Sequence, residues 1–196
     1  MTLKYKITDF QHPDNPKLFR IRALRHIPRF RVRAGDLGGY IEHEGNLSQT
    51  GDCWVDIDAR VFEDGEVYGN AVVFGHARIY GDAKVFEKAK VYDQAMVFGN
   101  ARIYGEAKVH GGGRIYGDTQ IYAYAQVYGH AWVTGDTILN EHMIIGQERI
   151  AEFMSSAQIY YADGVTAYID VRGQLIVNGN SPDFELYKML AMLKLS

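Results

Sequence analysis

From Val55 onward an aliphatic residue stands at every sixth position: Val55, Val61, Val67, Val73, Ile79, Val85, Val91, Val97, Ile103, Val109, Ile115, Ile121, Val127 and Val133. Four residues after each comes a small one, from Ala59, Gly65 and Ala71 through Ala107, Gly113 and Thr119 to Ala125, Ala131 and Thr137. The unit reads (V/I)-(Y/F)-G-x-A-x. Such a period matches neither the turn of an α-helix nor the two-residue alternation of a flat strand. It suits a short strand followed by a tight corner, with three strands closing one triangular coil. The β-branched residue then points inward and stacks on its counterpart one coil away. The small residue fills the corner, and the glycine before it relieves the backbone at the bend. At the usual inter-strand spacing, the run from Val55 to Ile138 makes a prism roughly 22 Å tall.

This pattern resembles the hexapeptide-repeat family of left-handed parallel β-helices, which includes many bacterial acyltransferases and typically assembles as homotrimers. The resemblance implies an all-β fold and supplies its left hand. It extends less regularly to Ile41, Gly45, Leu47 and the segment Gly51-Asp52-Cys53-Trp54-Val55. The N-terminal stretch RIRALRHIPRF-RVRAGDLGGYIE, followed by NLSQTGD, is similar to a subgroup of bacterial and prophage proteins assigned as acyltransferases of the YdcK type.

A chain of 196 residues with 47% apolar content can bury one sizeable core, so a single domain spanning 1–196 is expected. The formal charge of -3 does not force a nucleic-acid partner, and nucleic-acid binding is not expected. No apolar run is long enough for a membrane span. The opening MTLKYKITDF lacks the apolar stretch of a secretion signal, and the single cysteine, Cys53, fits a reducing cytoplasm. Cys53 falls in the alanine slot, where a small buried thiol is expected.

The ends differ from the middle. Residues 1–46 read as cap strands: between Lys17 and Arg33 lie Lys17, Arg20, Arg22, Arg25, Arg29, Arg31 and Arg33 without an acid, alternating with Phe19, Ile21, Phe30 and Val32. An amphipathic strand pair guarded by charge against end-to-end stacking needs such residues, although a phosphate site would use them too. Residues 47–138 form the regular helix, and 139–180 read as irregular strands. Over 181–196, Ser181 as N-cap, Pro182 in the first turn and the stripe Leu186, Met189, Leu190 and Leu193 predict a short α-helix.

Outward positions sort into columns. Asp64, Asp82, Asn100, Asp118 and Asp136 form one; hard cations would suit it, but tight corners favour the same residues, and no metal site is expected. Asp58, His76, Gln94, Gly112 and His130 form a second, with the histidines about 14 Å apart. His110 is offset from His130 by two residues, on a wall with Tyr128 and Trp132. A third column holds Arg60, Arg78, Met96, Arg114 and Trp132, beside Phe62, Tyr80, Phe98, Tyr116 and Thr134. Arginine beside stacked aromatics serves cation–π packing, base stacking or an oligomer interface, and the area of aromatic surface favours the interface.

Acyl transfer, as the resemblance implies, would use acyl-coenzyme A as co-substrate, a cleft between two subunits and a histidine that deprotonates the acceptor. No bound cofactor is expected. The candidate bases are His76, His110 and His130, with His142 a fourth, and the candidate ligand-binding residues are Tyr128, Trp132 and Arg114. None lies in a diagnostic motif, and the uninterrupted hexads lack the long loop that closes the acceptor site in many catalytic members. The other reading is a non-catalytic homotrimer, a phage or prophage factor binding a host protein or small ligand.

Overall fold

The computed structural model describes residues 3–140 with their side chains and, as backbone, residues 144–145, 160–162, 165–169 and 175–178. Among the described residues its regular elements are all strands except two turns of 3-10 helix. Two-residue strands beginning at Trp54–Val55 and Arg60–Val61 follow one another through Ile144–Ile145, separated by four-residue corners. Each pairs in parallel with the strand one coil away: Arg60 with Arg78, Arg78 with Met96, Met96 with Arg114 and Arg114 with Trp132. A coil is therefore 78 − 60 = 18 residues, three hexads, and the chain is a parallel β-solenoid of hexapeptide-repeat type.

The coils close three sheets. One carries Arg60–Val61 and its partners, the second Glu66–Val67, Lys84–Val85, Arg102–Ile103, Gln120–Ile121 and Ile138–Leu139, and the third Trp54–Val55, Val72–Val73, Lys90–Val91, Lys108–Val109, Gln126–Val127 and Ile144–Ile145. We call them the arginine, mixed and lysine faces. The aliphatic of each described hexad is sealed from solvent, and the alanine slot is equally closed. The slot accepts a hydroxyl at two places, where Thr119 and Thr137 donate to the carbonyls of Tyr116 (2.7 Å) and Thr134 (2.6 Å). A polar atom is tolerated there because its partner is built in.

At the corners the glycine slot takes a left-handed backbone, as at Gly99 (φ 63°), where a Cβ would lie 3.1 Å from the amide nitrogen of Gly117 in the next coil. Glu63, Glu87 and Asp93 occupy the same slot with φ of 52°, 55° and 58°. An L-residue there costs about 1 kcal/mol. Each of these carboxylates accepts a hydrogen bond from the slot amide one coil on, Gly81 (2.8 Å), Gly105 (2.9 Å) and Gly111 (3.1 Å), and charge-assisted bonds of this kind offset the strain.

The residue after each aliphatic points outward, and these residues stack down all three edges. The columns are Phe62–Tyr80–Phe98–Tyr116, Tyr68–Phe86–Tyr104–Tyr122 and Phe74–Tyr92–His110–Tyr128, with neighbouring centroids 4.7 to 5.7 Å apart. Spacing and parallel planes follow from the coil repeat.

At the N-terminal end β1 (Tyr5–His12) and β2 (Asn15–Ala23) form an antiparallel hairpin. Next, β3 (Leu37–Ile41) pairs antiparallel with β2 and parallel with Arg60–Val61, which joins the cap to the arginine face. The partners of β2 are thus β1 and β3, and the strand expected across Phe30 and Val32 is absent: Pro28–Phe30 is a turn of 3-10 helix. Pro28 has no N–H for a ladder and a φ preset for a helical first turn. The cap is also fastened from inside. Lys4 is fully buried, its Nζ donating to the Cys53 carbonyl (2.8 Å) and touching Sγ at 2.9 Å. Burial lowers the Lys4 pKa and raises that of the Cys53 thiol, so both are biased toward their neutral forms.

Toward the C-terminus, Tyr160–Ala162, Val165–Ile169 and Leu175–Asn178 form a three-stranded antiparallel sheet. The expected helix over 181–196 and His142 lie outside the described residues.

Candidate functional site

The edge between the lysine and arginine faces carries the expected histidine column, and beside it runs the arginine ladder. Together they line a groove of about 740 Å³. His76, Gln94, Gly112 and His130 form its corner wall; Arg60, Arg78, Met96, Arg114 and Trp132 form its floor. Among the described residues no carboxylate lines it. The acid that heads the column, Asp58, faces Arg20 instead, with Oδ1 3.5 Å from Nη2. The groove is therefore cationic although the chain as a whole is acidic.

Its two ends differ. Near the cap, Arg60 and Arg78 stand in register, followed by Tyr40 with the Arg20 guanidinium 4.4 Å from its ring centroid. At the far end, Arg114 lies 4.9 Å from the Trp132 ring, and Met96 separates it from Arg78. Arg114 and Trp132 thus make one cation–π pair, and Arg60 and Arg78 are the other two arginines of the groove floor. His130 packs over Gly112, where an added Cβ would lie 2.6 Å from Nδ1. The Nδ1–Cε1 edge of the ring thus faces the coil below.

Of the sequence-derived candidates, His76, His130, Arg114 and Trp132 meet in the groove. His110 and Tyr128 do not. They belong to the adjacent aromatic column, where His110 sits between Tyr92 (4.7 Å) and Tyr128 (5.7 Å), with Nδ1 3.8 Å from the Asp93 carboxylate. His110 occupies an aromatic slot, the position after the aliphatic Val109, and that placement was readable in the repeat. Arg60, Arg78 and Gln94 complete the groove and were grouped by sequence only as members of columns. The acidic column opposite makes internal contacts, such as Asn100 Nδ2 to Asp118 Oδ1 (2.9 Å). Among the described residues no cluster of His, Cys, Asp or Glu converges as a metal site, and no helix is long and apolar enough to cross a membrane.

The fold and groove define a hexapeptide-type β-solenoid with a cationic, histidine-edged groove. No family model and no curated protein matches the chain.

Proposed function

We propose that this solenoid is an acyl-coenzyme A-dependent acyltransferase working in the groove, completed by a neighbouring copy in a homotrimer. The observation that carries the reading is the union of the histidine column with an arginine ladder in a groove with no carboxylate among the described residues. A coenzyme A donor brings phosphates, which suit Arg60 and Arg78, and a thioester arm, which suits the apolar stretch of Met96 and Trp132. With phosphates at the cap end, the thioester comes to rest by His130. Its Nε2 takes the proton of an acceptor hydroxyl or amine while that atom attacks the thioester carbonyl. The imidazolium then returns the proton to the departing thiolate.

A second reading, a non-catalytic trimer that binds a ligand or host protein in the manner of a phage or prophage factor, is favoured by one observation. Neither His76 nor His130 has a carboxylate within salt-bridge distance among the described residues, so no orienting acid completes a base.

The test is calorimetric titration with acetyl-coenzyme A, together with mass in solution by light scattering. The enzyme reading expects a trimer that binds the donor, weakens at least tenfold in Arg60→Gln/Arg78→Gln, and loses transfer but not binding in His130→Ala. A trimer indifferent to coenzyme A would refute it in favour of the binding protein.

A further inference from the structure

A second charged surface belongs to the N-terminal cap. Residues 17–33 hold seven of the chain's 21 cations and none of its 24 acids, so the remainder carries 14 cations against 24 acids. The cap end is strongly positive and the rest of the chain strongly negative.

The geometry of the loop between β2 and β3 presents that charge. Ile27 and Val32 bond each other both ways (2.9 and 3.3 Å), pinching off the four residues Pro28 to Arg31. Ile27 and Val32 are buried and Phe30 packs on the core, so the tip is anchored while Arg29 and Arg31 are exposed. Among the described residues, Arg29, Arg31 and Arg33 enter no salt bridge, whereas Lys17, Arg20 and Arg25 pair with Glu42, Asp58 and Asp52. Of the nearby acids, Asp36 lies in the loop itself and accepts from the Arg33 amide (2.7 Å), and Glu106, whose pKa Arg29 helps to lower, is bonded to Lys88 (3.0 Å).

Arg31 adds a conformational argument. Its φ is 56°, the left-handed region where glycine is at ease and arginine costs about 1 kcal/mol, and among the described residues it has no carboxylate bond like those that offset the strain at Glu63, Glu87 and Asp93. An arginine held where glycine would be more stable is the pattern of a residue kept for what it contacts. The rim is apolar: Leu24 and Leu37, at the two ends of the loop, are 39% and 37% exposed.

We propose that the Leu24–Leu37 loop docks an acidic protein segment, with Arg29, Arg31 and Arg33 meeting its carboxylates and Leu24 and Leu37 its apolar side chains. Planar guanidiniums pair carboxylates in bidentate fashion, and arginine flanked by apolar side chains is the composition of a protein interface. A long polyanion such as duplex DNA would meet repulsion from the acidic remainder of the chain and gain little from the leucines.

The test is fluorescence anisotropy of the full chain with a labelled peptide of about 15 residues alternating Glu or Asp with Leu, against duplex DNA of equal charge in the same buffer. The proposal expects binding of the peptide over DNA, reduced roughly tenfold or more in the Arg29→Gln/Arg31→Gly/Arg33→Gln variant. The single change Arg31→Gly discriminates further, since it should weaken binding while the melting temperature holds or rises. A chain that ignores the peptide, binds DNA at least as tightly, or binds equally well after Arg31→Gly would overturn the proposal.

Discussion

Replacing Ala101 by threonine should leave a more stable protein than replacing it by valine, the reverse of their hydrophobic ranking. Ala101 is fully buried one coil below Thr119 in the same corner column, whose next member is Thr137. Both threonines place their hydroxyl 2.6 to 2.7 Å from the carbonyl three residues earlier. A threonine at 101 would reach the Phe98 carbonyl in the same way and gain about 1 kcal/mol from the bond. Valine must put a methyl where that oxygen sits. Carbon–oxygen contacts begin near 3.3 Å, so the methyl is about half an ångström too close, an overpacking worth about 1–3 kcal/mol. Valine's advantage from the extra buried methyl is about 0.8 kcal/mol. The balance favours threonine by about 1–3 kcal/mol. Urea unfolding followed by aromatic fluorescence measures it as a difference in midpoint at constant slope. A valine variant equal to or better than the threonine variant would refute the account of why the slot accepts hydroxyls.

Ala95→Asp places a carboxylate in a sealed slot with no donor, so it should cost about 4 kcal/mol or more, read as loss of the cooperative transition in circular dichroism. Stability should also fall on the alkaline side. Burial raises the pKa of Tyr5, Tyr68, Tyr80, Tyr92 and Tyr104 above the ordinary value of 10.0. Between that value and the folded ones the unfolded chain binds fewer protons, so unfolding stability decreases with pH. The midpoint should drop above pH 10, with tyrosinate absorbance lagging free tyrosine; a flat midpoint there would contradict the burial.

The inward columns were legible because one side chain per hexad must be aliphatic and one small, and a constraint repeated fourteen times leaves no competing period. Column membership then reduces to adding eighteen, which is why His76 and His130 could be set in one column and Arg114 and Trp132 in another, while the joining of the two columns in one groove was seen only in three dimensions. The positions where the repeat is broken were harder. Glu63, Glu87 and Asp93 stand in the glycine slot, and their compensating bonds to the next coil depend on three-dimensional stacking. The Lys4–Cys53 contact joins residues forty-nine positions apart with no pattern between them. In the cap, alternation suggested a strand through Phe30, and the single residue Pro28 outweighed it.

The identity of successive coils has a bearing on how such a chain changes over generations. Because every coil pairs through the same eighteen-residue register, a duplication or deletion of eighteen residues within 72–125 rejoins matched strands and leaves both ends as they were. It alters a single quantity, the height of the prism. The groove lengthens or shortens with it, by about 4.8 Å per coil. Length of ligand reached is thus a heritable dimension of this fold, adjustable in whole steps without a new corner, a new core or a new cap.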